Sequence, residues 1–333
     1  VPDRLKLSVG YQLPDADRFA DVVTEYAADI DEVYFPWRGT ASGRGVSIAD
    51  DSEQSQMMSE LAEIRAAGVR LNMLWNGNCY GGDAISSALE QRVVGAVREI
   101  SERIGLDAVT TVSPFIAQRV KRAFPALDVR ASVNMGVRSI TAMQCLGDAF
   151  DSYYAHRGLN RFPDRLKKLH DWCAANNKRL YLLANSGCIN HCPAHVFHDN
   201  LVAHEAEAAC QPSPWTGFSG VCWGYYADPA NHVSLLVDST WIRPEELDHY
   251  AGIVDGIKLA TRVHRDPARV IAAYACRTFD GNTLSLCEPD FSALAYLDNK
   301  RFSDHWLTRF GELQEPERTD FCKKEFRNVS IRC

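Results

Sequence analysis

The chain lacks any apolar run near the ~20 residues that a membrane-spanning helix requires, so a helical membrane protein is not expected. Its opening, VPDRLKLSVGYQLPD, lacks the charged-then-apolar layout of a secretion signal, and the expected compartment is the cytoplasm. Positive charge is in deficit: 36 Lys and Arg face 43 Asp and Glu, for a net charge of -7. Phosphate contacts need a basic surface, so nucleic acid is not an expected partner, although a local basic groove stays compatible with the total. No Gly-x-Gly-x-x-Gly follows the first strand, which weakens a dinucleotide fold. Neither Gly-x-Ser-x-Gly nor His-Glu-x-x-His occurs, so two common hydrolase signatures are missing.

What is present is a rhythm of short apolar runs and longer amphipathic ones. Strands are expected at Leu5–Val9, Glu32–Phe35, Arg70–Trp75, Ala108–Val112, Asp128–Val133, Phe150–Tyr154, Arg179–Ala184, Val233–Val237 and Gly256–Ala260. Helices are expected over Ala16–Ala28, Asp51–Ala67, Asp83–Ile104, Arg138–Leu146, Asp164–Asn176, Phe197–Cys210 and Arg243–Tyr250. Buried strands alternating with helices give parallel βαβ units. Seven or eight of them favour an α/β fold of the (β/α)8 TIM-like barrel type over an open sheet. The alternation fades after about Asp280, so residues 1–280 are expected to form the barrel and 281–333 a short C-terminal extension.

Eleven cysteines in a chain without a secretion signal call for an explanation, because reducing compartments favour metal ligation or catalysis over disulfides. Cys145, Cys173 and Cys276 sit in helix-like patterns and read as small core residues. The densest chemistry is Ala184–Asn200, directly after a buried strand and therefore at the functional end of a barrel. It carries Cys188, His191, Cys192, His195 and His198, and Cys-x-x-x-Cys lets a turn of chain bring two thiolates to one metal or cluster. Cys79, in a loop after another strand, and Cys222, between glycines, are the candidates to complete the set. Cys210 and Cys287 compete with them, and Cys322 with Cys333 is a separate late pair. Zinc on the His-rich loop with Cys188 and Cys192 is the alternative.

The pattern N-x-G-C-x-x-x-C-P-x-x-x-x-H-x-N after a strand resembles the collagenase-like peptidase family of unclassified mechanism. The order of Arg243, Pro244, Glu245, Tyr250, Lys258 and Arg262, then Asp280, Gly281 and Asn282, is similar to that family's later pattern. The resemblance implies a barrel with a four-cysteine, four-iron four-sulfur cluster. Family members include proteins named as peptidases and others that are oxygen-independent hydroxylases of ubiquinone precursors or RNA bases, using prephenate as oxygen donor. It assigns cluster ligation to Cys188 and Cys192, and by position relative to strands to Cys79 and Cys222.

Strand-end residues Asn76, Asn134 and Arg161, with the cations Arg243, Lys258 and Arg262, are the expected substrate contacts. Guanidinium forks suit a carboxylate. Asn185, His191 and His195 are the expected catalytic groups. With these residues, the resemblance implies a cluster-containing redox enzyme, an oxygen-independent hydroxylase or related biosynthetic enzyme, acting on a small acidic or aromatic molecule. A redox partner or paired subunit is a further expectation. The alternatives are a zinc- or cysteine-dependent, peptidase-like hydrolase and a non-catalytic subunit that holds a cluster for another protein.

Overall fold

The computed structural model describes residues 4–13, 18–40, 42–43, 48, 50–205 and 220–331. Eight strands close a barrel in chain order: β1 (Leu7–Gly10), β2 (Ile30–Phe35), β3 (Arg70–Trp75), β4 (Ala108–Thr111), β5 (Asp128–Ala131), β6 (Ser152–Tyr154), β7 (Arg179–Leu183) and β8 (Gly256–Lys258). Every neighbouring pair is parallel, and β1 pairs with β8 to complete the ring. The strands are almost wholly buried, as parallel strands covered on both faces must be.

The crossovers are α1 (Phe19–Glu25), α2 (Asp51–Ala66), α3 (Ser87–Arg103), α4 (Pro114–Ala123), α5 (Ile140–Leu146) and α6 (Pro163–Ala175). Their starts are written locally. The side chains of Asp50, Ser86, Ser113 and Ser139 accept hydrogen bonds from first-turn N–H groups that have no partner within the helix. Proline opens α4 and α6, where its fixed φ suits the first turn and its missing N–H costs nothing. After β7 come α7 (His195–Ala203), α8 (Val221–Tyr226) and α9 (Ser234–Val237), and α10 (Pro267–Cys276) follows β8.

The expected strand at Val233–Val237 is not one: Ser234–Val237 is the short helix α9, and the eighth strand is Gly256–Lys258. A five-residue segment with four apolar side chains is too short for its period to separate a strand from a buried helical turn. Cys222 lies on α8 and not in a loop. Cys210 and Cys333 lie outside the described residues, as does the end of the helix expected over Phe197–Cys210. Cys173 is buried as a core thiol, whereas Cys145 and Cys276 are exposed, on the outer faces of their helices.

Beyond α10 the chain folds back over the barrel. Two helices, α11 (Trp306–Glu312) and α12 (Glu317–Val329), accompany a two-stranded antiparallel ladder of β9 (Tyr296–Leu297) and β10 (Ser330–Ile331). Arg161 fastens this region. It is buried, donates to the Trp241 carbonyl at 3.2 Å and Ser239 Oγ at 3.1 Å, and bonds the Leu236 carbonyl. Its guanidinium lies 4.6 Å from the Trp241 ring centroid, 5.1 Å from Trp306 and 5.0 Å from Phe310.

The barrel interior is tied by charge. Arg130 pairs with Glu32 and Asp128, both at 2.7 Å, and stacks 3.9 Å from the Tyr181 centroid. Glu32 also accepts from Ser8 at 2.7 Å and Asn72 at 2.9 Å. No helix among the described residues is long and apolar enough to cross a membrane.

Candidate functional site

Two hollows open at the end of the barrel where the strands terminate. The first, about 80 Å³, is lined by Tyr34, Gly43, Leu74, Asn76, Val133, Asn134, Arg157, Leu183, Ser186, Lys258, Ala260, Arg262, Val263 and Glu288. Six of the eight strands contribute directly or through the residues just beyond them, which is where barrel enzymes place their chemistry. Four expected substrate residues, Asn76, Asn134, Lys258 and Arg262, stand together here. Lys258 is buried, with its ammonium 3.9 Å from the Tyr34 ring centroid and 4.9 Å from that of Tyr154. Burial, aided by the nearby cations Arg262 and Arg130 and opposed by Glu32, pushes its pKa down to about 7. Arg262 donates to Ser42 Oγ at 3.2 Å, and Gly43 N–H donates to Asn76 Oδ1 at 3.0 Å.

Glycine makes this packing possible. A Cβ at Gly10 would sit 2.4 Å from Arg262 Cγ and 2.6 Å from the Tyr34 ring. At Gly43 it would meet Asn76 Nδ2 at 2.8 Å and Asn134 Nδ2 at 2.9 Å.

The second hollow, about 640 Å³, is lined by Cys188, Cys192 and Cys222 together with His195, His198, Trp223, Arg265, Glu288, Asp290 and apolar neighbours. The loop after β7 brings the first two thiols and α8 brings the third. Burial raises the Cys222 thiol pKa, and the neighbouring Cys188 and Cys192 raise it further. The nine described cysteines form no disulfide with one another. Three cysteines and two histidines round one cleft are the donor types that iron–sulfur clusters and zinc both take. In this arrangement no three His, Cys, Asp or Glu side chains among the described residues close on a single point.

The two hollows share Val263 and Glu288. Glu288 is held by backbone bonds: its N–H donates to the Asn185 carbonyl and its carbonyl accepts from Gly187 N–H, each at 2.9 Å. Arg157 spans the same divide. It lines the barrel mouth, donates to Ser186 Oγ at 3.4 Å and touches His195 Nε2. His195 in turn lies 3.1 Å from Asp199, a buried carboxylate that also accepts from Asn78 at 3.4 Å.

Other expected site residues fall elsewhere. Arg161 is committed to main-chain carbonyls and aromatic rings under the tail. Arg243 is buried against Glu246 at 3.0 Å and the Asn299 carbonyl at 3.1 Å. Asn185 spends its amide on the Ala260 and Leu286 carbonyls and its oxygen on Ala260 N–H, so it buckles β7 to β8 and the tail. A side chain whose polar atoms are all engaged in this way holds structure and does not face substrate. His191 is exposed and lines neither hollow, and Cys79 accepts from Gly81 N–H at 3.4 Å outside the cysteine cleft. Arg157, Ser186, Tyr34 and Asp199 escaped the sequence reading. Arg157 lies three residues past β6, so the strand-end rule that selected Asn76 applies to it equally.

The strands define a (β/α)8 barrel with two hollows at the end where they terminate. No family model matches the chain. It is 26% identical over 238 residues to an uncharacterized protease of Methanocaldococcus jannaschii, spanning 70% of this chain and 68% of that one. A solved U32 peptidase superposes with a TM-score of 0.54 at 14% identity, covering 77% of this chain and 92% of the other. That structure supports the fold, and the similarity to the protease agrees with the motifs' resemblance to the collagenase-like peptidase family.

Proposed function

We propose that this chain is a redox enzyme that holds an iron–sulfur cluster on Cys188, Cys192 and Cys222 and binds a small carboxylate in the adjoining barrel mouth. The observation that carries this reading is the common wall: Val263 and Glu288 line both hollows. A substrate among the cations therefore lies beside whatever the thiols hold. Arg157 and Arg262 are placed to take a carboxylate, Asn76 and Asn134 to orient it through their amides, and Tyr34, Leu74 and Val133 to keep water out. A bound cluster supplies electron transfer and, where one iron lacks a cysteine, Lewis-acid polarisation of substrate oxygen.

The test is spectroscopic. Malonate is titrated into reconstituted, dithionite-reduced protein, and the electron paramagnetic resonance spectrum is recorded. The reading expects a saturable change that Arg262→Ala abolishes. Malonate binding that leaves the spectrum unmoved would separate the two hollows and defeat the proposal.

A second reading has its own observation. Asp199 beside His195, in a cleft that also contains Cys192, supplies the base-orienting pair of a thiol hydrolase, in line with the peptidase names of the relatives. Peptide turnover by iron-free protein, lost in Cys192→Ser, would favour it over the redox reading.

A further inference from the structure

Lys258 has chemistry that neither reading uses. It ends β8 at the floor of the barrel mouth and lines the pocket with Asn76, Asn134, Arg157 and Arg262. Its ammonium rests between the Tyr34 and Tyr154 rings. Among the described residues it donates no hydrogen bond and joins no ion pair. Burying a charged amine without a counter-ion is costly, and the group relieves that cost by giving up its proton. Arg262 and Arg130 repel the ammonium and Glu32 attracts it from beneath; Arg157 and Glu288 line the same pocket. The two aromatic neighbours do not compete for its lone pair: Tyr34 donates to the Leu259 carbonyl at 2.6 Å, and Tyr154 donates to Glu32 Oε1 at 3.4 Å.

We infer that Lys258 is a nucleophile that forms an imine with an anionic aldehyde or ketone held in the barrel mouth by Arg157 and Arg262. This rests on the carboxylate pocket proposed above and names the reactive group its ligand carries. In the step, the amine lone pair attacks the carbonyl carbon and a C–N bond forms. The carbonyl oxygen takes up protons and departs as water, and the nitrogen loses its own protons to leave C=N. One water is released and nothing is oxidised or reduced. An amine that titrates near neutrality is unprotonated about a thousand-fold more often at pH 7 than an ordinary lysine, and that is the state that attacks.

Glyoxylate is the probe, being an anionic aldehyde small enough for a pocket of about 80 Å³. The whole protein is incubated with it at pH 7 and cyanoborohydride, which delivers hydride to the imine carbon and leaves a carboxymethyl group on the lysine. Peptide mapping then locates the label. The expected result is label at Lys258 at least a hundred-fold faster than at any other lysine, suppressed by excess malonate. Label spread evenly over surface lysines would overturn the inference. Arg262→Ala serves as the second variant, because it leaves the amine in place: labelling of Lys258 should fall at least ten-fold there. If malonate and glyoxylate bind by calorimetry while Lys258 stays unlabelled, the imine fails and the carboxylate pocket stands. If neither binds, both fail. Lys258→Arg, with a far-ultraviolet spectrum matching the parent, should bind malonate and take no label at that position.

Discussion

Glu32→Gln removes one negative charge from the barrel interior while keeping the shape of the side chain, and the structure sets the size of the effect. Glu32 Oε1 accepts from Arg130 and Ser8, each at 2.7 Å, and from Asn72 at 2.9 Å, all buried. Stranding one member of a buried ion pair costs about 3–5 kcal/mol. Arg130 keeps Asp128 at 2.7 Å, so the lower end, about 3 kcal/mol, is the expected loss. That is a large share of the ~5–15 kcal/mol by which domains are stable. The assay is equilibrium urea unfolding followed by tryptophan fluorescence, repeated across acid pH. Burial alone would raise the Glu32 and Asp128 pKa values, but Arg130 and the hydrogen-bond donors overcome it and hold both below the usual carboxylate range. Groups with depressed folded pKa values stabilise above their unfolded values, about 4, and that contribution is lost as the pH falls. Glu32→Gln should therefore be less stable at pH 7 and show a shallower decline below pH 4. A variant within about 0.5 kcal/mol of the parent at pH 7, with an unchanged acid limb, would refute the view that this pair holds the barrel.

Gly187→Ala should open the wall between the hollows, since its Cβ would lie 2.3 Å from the Pro289 carbonyl oxygen. Such overpacking costs about 1–3 kcal/mol, and the check is a lowered urea midpoint together with weakened malonate binding. Gly10→Ala should weaken malonate binding at least ten-fold in calorimetry, because the methyl displaces Arg262 and Tyr34, while the tail region keeps its parental resistance to protease. Arg161→Met should do the reverse. It leaves the Leu236 and Trp241 carbonyls without their donor, so limited proteolysis should release the segment beyond α10 sooner while malonate affinity holds.

The barrel was legible because its strands are short apolar runs spaced by amphipathic segments, a pattern that follows directly from burying both faces of a parallel sheet. Arg70–Trp75 was bounded to the residue. Val233–Val237 was misread because five residues, four of them apolar, are too few to show a period. The strand-end rule picked out Asn76 and Asn134, and the late set of cations supplied Lys258 and Arg262; the structure gathers all four in one pocket. The same two readings also picked Arg161 and Arg243, which an isolated sequence cannot separate from pocket cations, since their carbonyl, carboxylate and aromatic partners lie up to about 150 residues away in the fold. Glu288 was out of reach for a related reason: it joins the barrel mouth from the tail, through backbone bonds to Asn185 and Gly187 that leave no mark on side-chain pattern.

The most direct test of the account is the metal content of protein purified without oxygen. Iron, zinc and acid-labile sulfide are measured with the visible spectrum for the parent and for Cys188→Ala, Cys192→Ala, Cys222→Ala and Cys79→Ala. The account predicts about four iron and four sulfide per chain with brown absorbance. Each of the first three variants should lose them, and Cys79→Ala should keep them because Cys79 lies outside the cleft. Stoichiometric zinc without sulfide, or a cluster that survives loss of Cys222, would contradict it.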